Sequence, residues 1–315
     1  MGIRLITGAS YVAVLAIFYL LKIFVSDLFF DGLIWLFSLI GTFEMLRAFG
    51  ALGNKEKLKD GSETNAETLA SPTKAQAAGA MIFAAVCVPA CAVFEEFYGS
   101  GARAAGAAFL VLAFYLVSLL VIRHAETGIE NTGAAFFAAT YPTVLLVLLS
   151  LANHLPAEGL ETYAFNSDLA ILCIFVISPF ADSIAYVFGR FMKKKFPKKM
   201  APSVSPNKTV IGGIGGLVGG LVGAAILYFS YNAVAGSFEK MYIFLPVYLL
   251  IGLITAVATE FGDLAESCVK RKAGIKDMGK LLPGHGGIMD RIDGTLFATA
   301  AVYLVFVIIG ALPIA

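Results

Sequence analysis

Residues 263–293 read DLAESCVKRKAGIKDMGKLLPGHGGIMDRID, and no other stretch of the chain is as rich in carboxylates, basic residues and turn-forming glycines. This stretch lies between two long apolar runs in a protein of 315 residues, of which 59% are hydrophobic and only 14% are charged. A soluble domain has about a quarter of its residues charged. The contrast predicts an integral membrane protein with a polar site at one membrane surface.

Long apolar runs determine the predicted fold class. About 20 residues in a helix cross the hydrocarbon core of a bilayer, and runs this continuous favour helices over the alternating strands of a membrane barrel. We therefore predict an all-α polytopic membrane protein with about nine transmembrane helices. The predicted spans are residues 5–25, 28–50, 77–97, 102–122, 133–153, 168–188, 209–231, 242–260 and 294–315.

The domain organisation is predicted to be simple. We expect one membrane-embedded domain over residues 1–315, with N-terminal helices in 1–153 and catalytic helices and loops in 168–315. The polar segment 54–76 is expected to be a surface loop, since it is rich in Gly, Ser, Thr and Pro. The four cysteines form no CxxC pair, so the sequence indicates neither a disulfide framework nor a zinc site.

The distribution of charge predicts the orientation in the membrane. Lysine and arginine concentrate in the loops that follow even-numbered spans, whereas the other loops are mainly acidic. By the positive-inside rule, the N-terminus and the basic loops are cytoplasmic and the C-terminus is outside. The basic loop 189–208 and the stretch 263–293 are thus predicted to lie on one membrane face, where they are expected to form a single site.

The eighth span is predicted to continue as a helix into the charged stretch. Asp263, Glu266, Ser267 and Lys270 then share one helical face. An ionisable residue at the end of an apolar helix is costly unless it is paired or coordinates a ligand. Asp263 is therefore a candidate functional residue, with a salt bridge to a neighbouring helix as the structural alternative.

The segment from Pro283 to Gly287 predicts a turn rather than a helix or strand. Asp290 and Asp293 follow it, one helical turn apart, where the ninth span begins. The turn supplies backbone N–H groups and the His285 imidazole, and the helix start adds the positive end of a dipole. Two carboxylates beside such a turn suit a divalent cation that holds phosphate oxygens.

Upstream residues carry a second group of candidates. Asp182, Tyr186 and Gly189 share one face of the sixth span, and Lys208 and Thr209 precede a helix that begins IGGIGGLVGGLVG at residue 211. Glycines at four-residue spacing favour close helix packing. The alternative is that the first glycines expose backbone N–H groups to an anion. The run is not a P-loop, because no Lys-Ser/Thr pair follows it.

These motifs together resemble those of the phosphatidate cytidylyltransferases, also called CDP-diacylglycerol synthases. The similarity covers about residues 178–295, and the N-terminal half is similar only in having several apolar spans. One position departs from the family pattern, because Ile211 stands where the family usually has a glutamate. The matching residues are Asp182, Ala185, Tyr186, Gly189, Arg190, Ser205, Pro206, Lys208, Thr209, Ser267, Lys270, Arg271, Lys276, Asp277, Gly279, Leu282, Pro283, His285, Gly286, Gly287, Ile288, Asp290, Arg291, Ile292 and Asp293.

The resemblance implies transfer of CMP from CTP to phosphatidic acid, which gives CDP-diacylglycerol and pyrophosphate. It implies Mg²⁺ as cofactor, with a second cation left open, and Asp263 and Asp290 as the metal ligands. The implied catalytic residues are Asp263, Asp290, Asp293, Lys270 and Arg291. The implied substrate-binding residues are Lys208, Thr209, Arg271, His285, Gly286, Gly287, Asp182, Tyr186 and Arg190.

The same resemblance implies an integral protein of a bacterial cell membrane with a cytoplasmic active site. Membrane lipids are expected partners, nucleic acid is not, and a homodimer is left open. Two alternatives remain at this point: a related CTP-dependent enzyme acting on another lipid phosphate or a polyprenol, and an ion-coupled transporter with buried acids on its ion path. The clustering of charge at one surface and the absence of a repeated half argue against transport.

Overall fold

The computed structural model describes residues 2–50, 70–155, 166–235 and 241–311. Within these ranges, nine helices are long and apolar enough to cross a membrane, which confirms the predicted all-α polytopic class. The last residues of the predicted ninth span and most of the predicted loop 54–76 lie outside the described ranges. The helices are α1 (Gly2–Phe24), α2 (Asp27–Ala48), α3 (Lys74–Tyr98), α4 (Gly101–Ile122), α5 (Ile129–Asn153), α6 (Ser167–Leu172), α7 (Ser178–Met192), α8 (Val210–Ala235), α9 (Met241–Lys272) and α10 (Met289–Ala311).

Three bounds differ from the sequence prediction for physical reasons. Helix α9 runs to Lys272, because hydropathy detects the part of a helix that lies in lipid and not its polar extension. Helix α10 begins at Met289, ahead of its apolar part. The predicted basic loop 189–208 contains the end of α7 and a short antiparallel hairpin of β1 (Lys199–Ala201) and β2 (Ser205–Thr209). A π-helical segment, Cys173–Ile177, joins α6 and α7 into one span.

The chain divides into two compact units. Unit 1 comprises Met1–His154 and Val269–Ile292, and unit 2 comprises Leu155–Cys268 and Asp293–Ala315. The division falls inside α9 and again inside α10, so two continuous helices contribute to both units. The prediction of a single domain over residues 1–315 stays a prediction.

Polar side chains between α2 and α5 help to hold unit 1 together. Ser38 lies 3.0 Å and Thr42 3.2 Å from the Thr143 hydroxyl, and all three side chains are buried. Toward the start of α2, the Asp31 carboxylate accepts hydrogen bonds from Ser150 at 2.6 Å and from Asn153 at 3.0 Å. Because lipid offers no partners to polar groups, pairing between helices is the favourable arrangement for these side chains.

The glycines of α8 pack this helix between α7 and α9 in unit 2. A Cβ on Gly215 or Gly219 would lie 2.6 Å from atoms of α7, namely Phe188 Cβ and the Phe180 carbonyl oxygen. A Cβ on Gly220, on the other face, would lie 2.6 Å from Ala256 of α9. The prediction of close packing by glycines at four-residue spacing is therefore confirmed.

Candidate active site

A cavity of about 650 Å³ opens in unit 2 among α7, the β-hairpin, the start of α8 and the middle of α9. The order of these elements along the chain explains why they line one cavity, because the hairpin connects α7 to α8 and α8 packs on both α7 and α9. Six predicted site residues line the cavity together: Asp182, Tyr186, Arg190, Lys208, Thr209 and Asp263. Lining residues that were not among the predictions include Lys193, Lys199, Asn207 and Glu260.

Lys208 lies between two carboxylates of α9. Its Nζ is 2.6 Å from Asp263 Oδ2 and 2.9 Å from Glu260 Oε2. Burial disfavours the charged amine, but the charges and hydrogen bonds of Asp263 and Glu260 outweigh this, so the pKa of Lys208 is raised above its ordinary value of 10.5. Lys208 is therefore a fixed cation at neutral pH.

Glu260 was missed by the sequence reasoning, although a carboxylate inside an apolar span could have pointed to it. It lies three residues before Asp263 on α9, so both side chains point to the same side of the helix. Its Oε1 fills the space that a side chain on Gly216 of α8 would need. A carboxylate beside Lys208 thus comes from Glu260 of α9. Residue 211, where the family usually has a glutamate, is isoleucine.

Further acidic groups act on Asp182, which also lines the cavity. The charges of Asp293, Asp263 and Glu260 all act on the carboxyl group of Asp182. Close contact between α9 and α10 permits this, because a Cβ on Gly262 would lie 2.5 Å from the carbonyl oxygen of Asp293. The carboxyl groups of Asp182, Asp263 and Asp293 thus lie near enough within unit 2 to interact electrostatically, but their oxygen atoms do not all lie within 4.8 Å of one another.

Two predicted substrate-binding residues have structural partners in the cavity wall. The Oγ1 atom of Thr209 accepts a hydrogen bond of 3.1 Å from the Gly212 N–H, which makes Thr209 the N-cap of α8. Arg190 donates a hydrogen bond to the Tyr186 hydroxyl, and its guanidinium lies 5.8 Å from the centre of that ring. The guanidinium is thus held at the cavity wall.

In unit 1, Asp290 organises the turn that precedes α10. Its Oδ1 accepts a hydrogen bond of 2.8 Å from Lys270 Nζ, and its Oδ2 accepts bonds of 2.8 Å from the N–H groups of Met278 and Gly287. A carboxylate offers about four acceptor positions. Three are occupied here, so one position on Oδ1 is left for a metal ion.

The predicted turn around His285 is confirmed, but its amides are not free to bind phosphate. Gly284 and Gly286 have φ values of 78° and 89°, which favour glycine. The N–H groups of His285 and Gly286 donate to the Leu282 carbonyl, and that of Gly287 donates to Asp290. That His285, Gly286 and Gly287 line a phosphate pocket stays a prediction.

The His285 side chain has a different environment. Its Nδ1 is buried without a hydrogen-bond partner among the described residues. A Cβ on Gly8 of α1 would lie 3.8 Å from the imidazole Cε1. Of the other predicted cations, Lys270 pairs with Asp290 as described, whereas Arg271 and Arg291 are exposed.

Glu44 of α2 is the second acidic residue that the sequence reasoning missed. It is 4% exposed, and its two carboxylate oxygens accept hydrogen bonds from the N–H groups of Ile288 at 3.1 Å and Met289 at 2.9 Å. A carboxylate in an apolar span was again the available indication. Its partners could not be read from the sequence, because they lie 244 and 245 residues away.

One cluster in unit 1 has the spacing of metal ligands, and it is not the predicted one. Ligand atoms of Asp27, Glu96 and His154 all lie within 4.8 Å of one another, the only such group among the described residues. Its members already pair with each other and with neighbours: His154 Nε2 lies 2.7 Å from Asp31 and Nδ1 lies 3.2 Å from Glu96. Of the predicted metal ligands, Asp263 lies in unit 2 and Asp290 in unit 1, and their pairing stays a prediction.

The sequence of this chain is similar to those of known proteins. Residues 4–309 match the model of the cytidylyltransferase family. A phosphatidate cytidylyltransferase of Brucella abortus is 35% identical over 199 residues, which are 62% of this chain and 65% of that relative. Proteins of the same name from Haemophilus influenzae and Staphylococcus haemolyticus are 37% identical over 160 residues and 38% identical over 137 residues. These alignments cover 50% and 43% of this chain and 49% and 48% of the two relatives.

The alignments with these relatives span less than two thirds of each relative's length, whereas the family model spans nearly the whole of this chain. The resemblance inferred from the motifs is thereby confirmed. Together with its nine apolar helices, this match identifies the chain as an integral membrane protein that belongs to the cytidylyltransferase family.

Proposed function

We propose that this protein transfers CMP from CTP to phosphatidic acid and releases pyrophosphate. A phosphate oxygen of phosphatidic acid would attack the α-phosphorus of CTP, and the bond from that phosphorus to the bridging oxygen of the leaving pyrophosphate would break. The observation that carries the proposal is the unit 2 cavity, which combines acids with fixed cations in a membrane-embedded member of this family. The name of the similar proteins, phosphatidate cytidylyltransferase, agrees with it.

The cations of the cavity would bind the anionic reactants. Arg190, Lys193, Lys199 and Lys208 line it, and both substrates carry several phosphate charges. Catalysis of such a transfer consists mainly of aligning the two groups and neutralising charge as pyrophosphate leaves. The N-terminus of α8 also borders the cavity and adds the positive end of its dipole. No protein nucleophile is required.

The acids would hold Mg²⁺. Asp263 is the proposed ligand in unit 2, with Asp182 and Asp293 as supporting acids, because Mg²⁺ prefers carboxylate oxygens and the charges of Asp263 and Asp293 act on Asp182. Asp290 remains a proposed ligand through its fourth acceptor position. When bound, the ion would neutralise phosphate charge and favour the departure of pyrophosphate. Whether a second cation takes part is left to metal analysis of the purified protein.

The proposed location is a bacterial cell membrane, with the N-terminus and the active site in the cytoplasm and the C-terminus outside. The positive-inside distribution supports this orientation, and CTP is a cytoplasmic nucleotide. Reporter fusions at the C-terminus test it: a reporter active only outside the cytoplasm is expected to work there. A homodimer is neither required nor excluded by the proposed reaction.

A label-transfer assay tests the activity. Purified protein in lipid discs would receive CTP labelled at the α-phosphate, Mg²⁺ and phosphatidic acid, and the label in the organic phase would be measured. Lipid-soluble label that appears together with pyrophosphate supports the proposal. Label that appears only with another lipid phosphate, or transfer to a polyprenol of a label placed at the γ-phosphate with release of CDP, would assign the enzyme to the related class. No transfer to any acceptor would refute the proposal.

A further inference from the structure

The carboxylate of Glu44 connects an N-terminal membrane helix to the turn before α10. Helix α10 begins at Met289, and the first N–H groups of a helix have no partners within it. Glu44 accepts the N–H groups of Ile288 and Met289, one on each carboxylate oxygen. A carboxylate in this place is favoured twice, by the two hydrogen bonds and by the positive end of the helix dipole.

Two glycines of the charged stretch make room for this carboxylate. A Cβ on Gly279 or on Gly287 would overlap the carboxylate oxygens of Glu44. Neither glycine has a positive φ, so the backbone itself does not require glycine at these positions. The close approach of Glu44 is therefore what excludes larger residues there. The carboxylate is pinned by its two hydrogen bonds and cannot move aside without losing them.

Glu44 and Asp290 together occupy three consecutive backbone amides. Asp290 accepts the N–H of Gly287, and Glu44 accepts the next two. Because Asp290 also accepts the Met278 N–H, the same two carboxylates fix both ends of the turn. The position of the Asp290 side chain thus depends on a loop that Glu44 holds from a separate helix.

We propose that Glu44 is a positioning residue that holds the turn and the start of α10 in the arrangement that catalysis requires. Its role would be to present Asp290 and His285, and not to touch a substrate. This inference rests on the proposed function for its kinetic consequence, but the ordering of the turn is a property of unit 1 alone. The two parts can therefore be tested separately.

The test compares Glu44→Gln, Gly279→Ala and the double variant in lipid discs. Glutamine keeps the size of the side chain but replaces one acceptor oxygen with an NH₂ group, which leaves one buried N–H without a partner. The alanine Cβ pushes the same carboxylate off its amides. Thr42→Val is the matched control, since Thr42 lies on the same helix and its hydroxyl bonds only to Thr143 among the described residues.

Each single variant is expected to lower kcat by about 10- to 100-fold, as an unsatisfied buried donor costs enough to shift the loop equilibrium by that factor. The double variant is expected to be no worse than the more severe single one, because both changes remove the same contact. Backbone hydrogen exchange in residues 276–292 should accelerate in all three, whereas Thr42→Val should leave exchange and kcat close to wild type.

The outcomes are distinguishable. Wild-type exchange in Glu44→Gln and Gly279→Ala, or effects that multiply in the double variant, would overturn the role of Glu44. So would an equal loss in Thr42→Val, which would indicate a general effect of α2 packing. If Glu44→Gln fails to fold, Gly279→Ala carries the test by itself. If the variants exchange faster but the wild type transfers no label, the proposed function is refuted. The role of Glu44 in positioning the turn is then retained.

Discussion

Asp290→Asn tests how much of the site depends on a single carboxylate. The Asp290 and Lys270 side chains are only 4% and 13% exposed, and they form a hydrogen-bonded ion pair of 2.8 Å. The asparagine oxygen can still accept the two backbone N–H groups, but its amide group would then face the Lys270 ammonium. The change therefore removes this ion pair and places an amide donor opposite the half-buried Lys270 ammonium.

The expected magnitude follows from this environment. Breaking a buried ion pair by removing one partner costs about 3–5 kcal/mol. Lys270 retains some contact with solvent, so the lower value of about 3 kcal/mol is expected, and it corresponds to about a hundredfold shift toward the disordered loop. Loss of a metal ligand would add to this. Disorder of the turn in Asp290→Asn should thus lower label transfer by up to about a hundredfold, beyond which the loss would come from the missing ligand.

Two measurements check this prediction: transfer of label from CTP to lipid, and backbone hydrogen exchange in residues 276–292. Glu130→Gln is the matched control, because it makes the same carboxylate-to-amide change at an exposed position of unit 1. The reasoning is refuted if Asp290→Asn retains activity within about threefold of wild type, a difference of less than about 1 kcal/mol. If exchange is unchanged while activity is lost, the ligand role stands and the loop-ordering role is wrong.

Three further predictions concern other parts of the chain. Lys208→Met leaves two facing carboxylates without their shared cation, so label transfer should fall at least about tenfold; transfer within about threefold would contradict the assignment. Gly220→Val should lower the free energy of unfolding by about 1–3 kcal/mol, because the larger side chain overpacks against α9. Thermal denaturation measures this, and Gly106→Val is the control, since a Cβ there would have no atom within 4 Å and should leave stability unchanged. The thermal stability of the wild type should fall as pH rises above about 6.5, and His154→Gln should remove this dependence.

The sign of the pH prediction follows from the His154 site. Burial disfavours the charged imidazole, but Asp31, and then Asp27 and Glu96, outweigh it, so the pKa of His154 is raised above its ordinary value of 6.5. A raised pKa means that the folded state binds the proton more tightly than the unfolded chain. The resulting stabilisation is complete below pH 6.5 and is lost as pH rises through the raised pKa. Stability that is flat with pH in the wild type would contradict this.

Much of the architecture could be predicted from the sequence because it is encoded locally. The length of each apolar run predicted about nine spans, and the described residues contain nine helices long and apolar enough to cross a membrane. The spacing of glycines in α8 predicted close helix packing, and contacts near Gly215 and Gly220 confirm it. Each of these properties depends on consecutive residues and on a bilayer of known thickness, so the sequence is sufficient to predict it.

The partners of the polar side chains could not be predicted in the same way. A membrane helix is apolar on all sides, so its sequence lacks the amphipathic stripe that shows which face of a soluble helix is buried. Glu44 therefore gave no indication that it meets the start of α10, nor Glu260 that it meets Lys208. In the signature turn, the N–H groups of His285, Gly286 and Gly287 donate to protein groups, and these partners could not be read from the sequence either.

The sequence by itself determined the membrane class and the family, because run length and motif spacing are properties of consecutive residues, and it predicted that the stretch 263–293 carries the chemistry. Only the tertiary structure decided what holds that stretch in place. Asp290 takes three hydrogen bonds from residues of its own segment and its turn, and Glu44 reaches the same turn from α2. Such pairings depend on which helix faces meet, and that choice is made by packing in three dimensions.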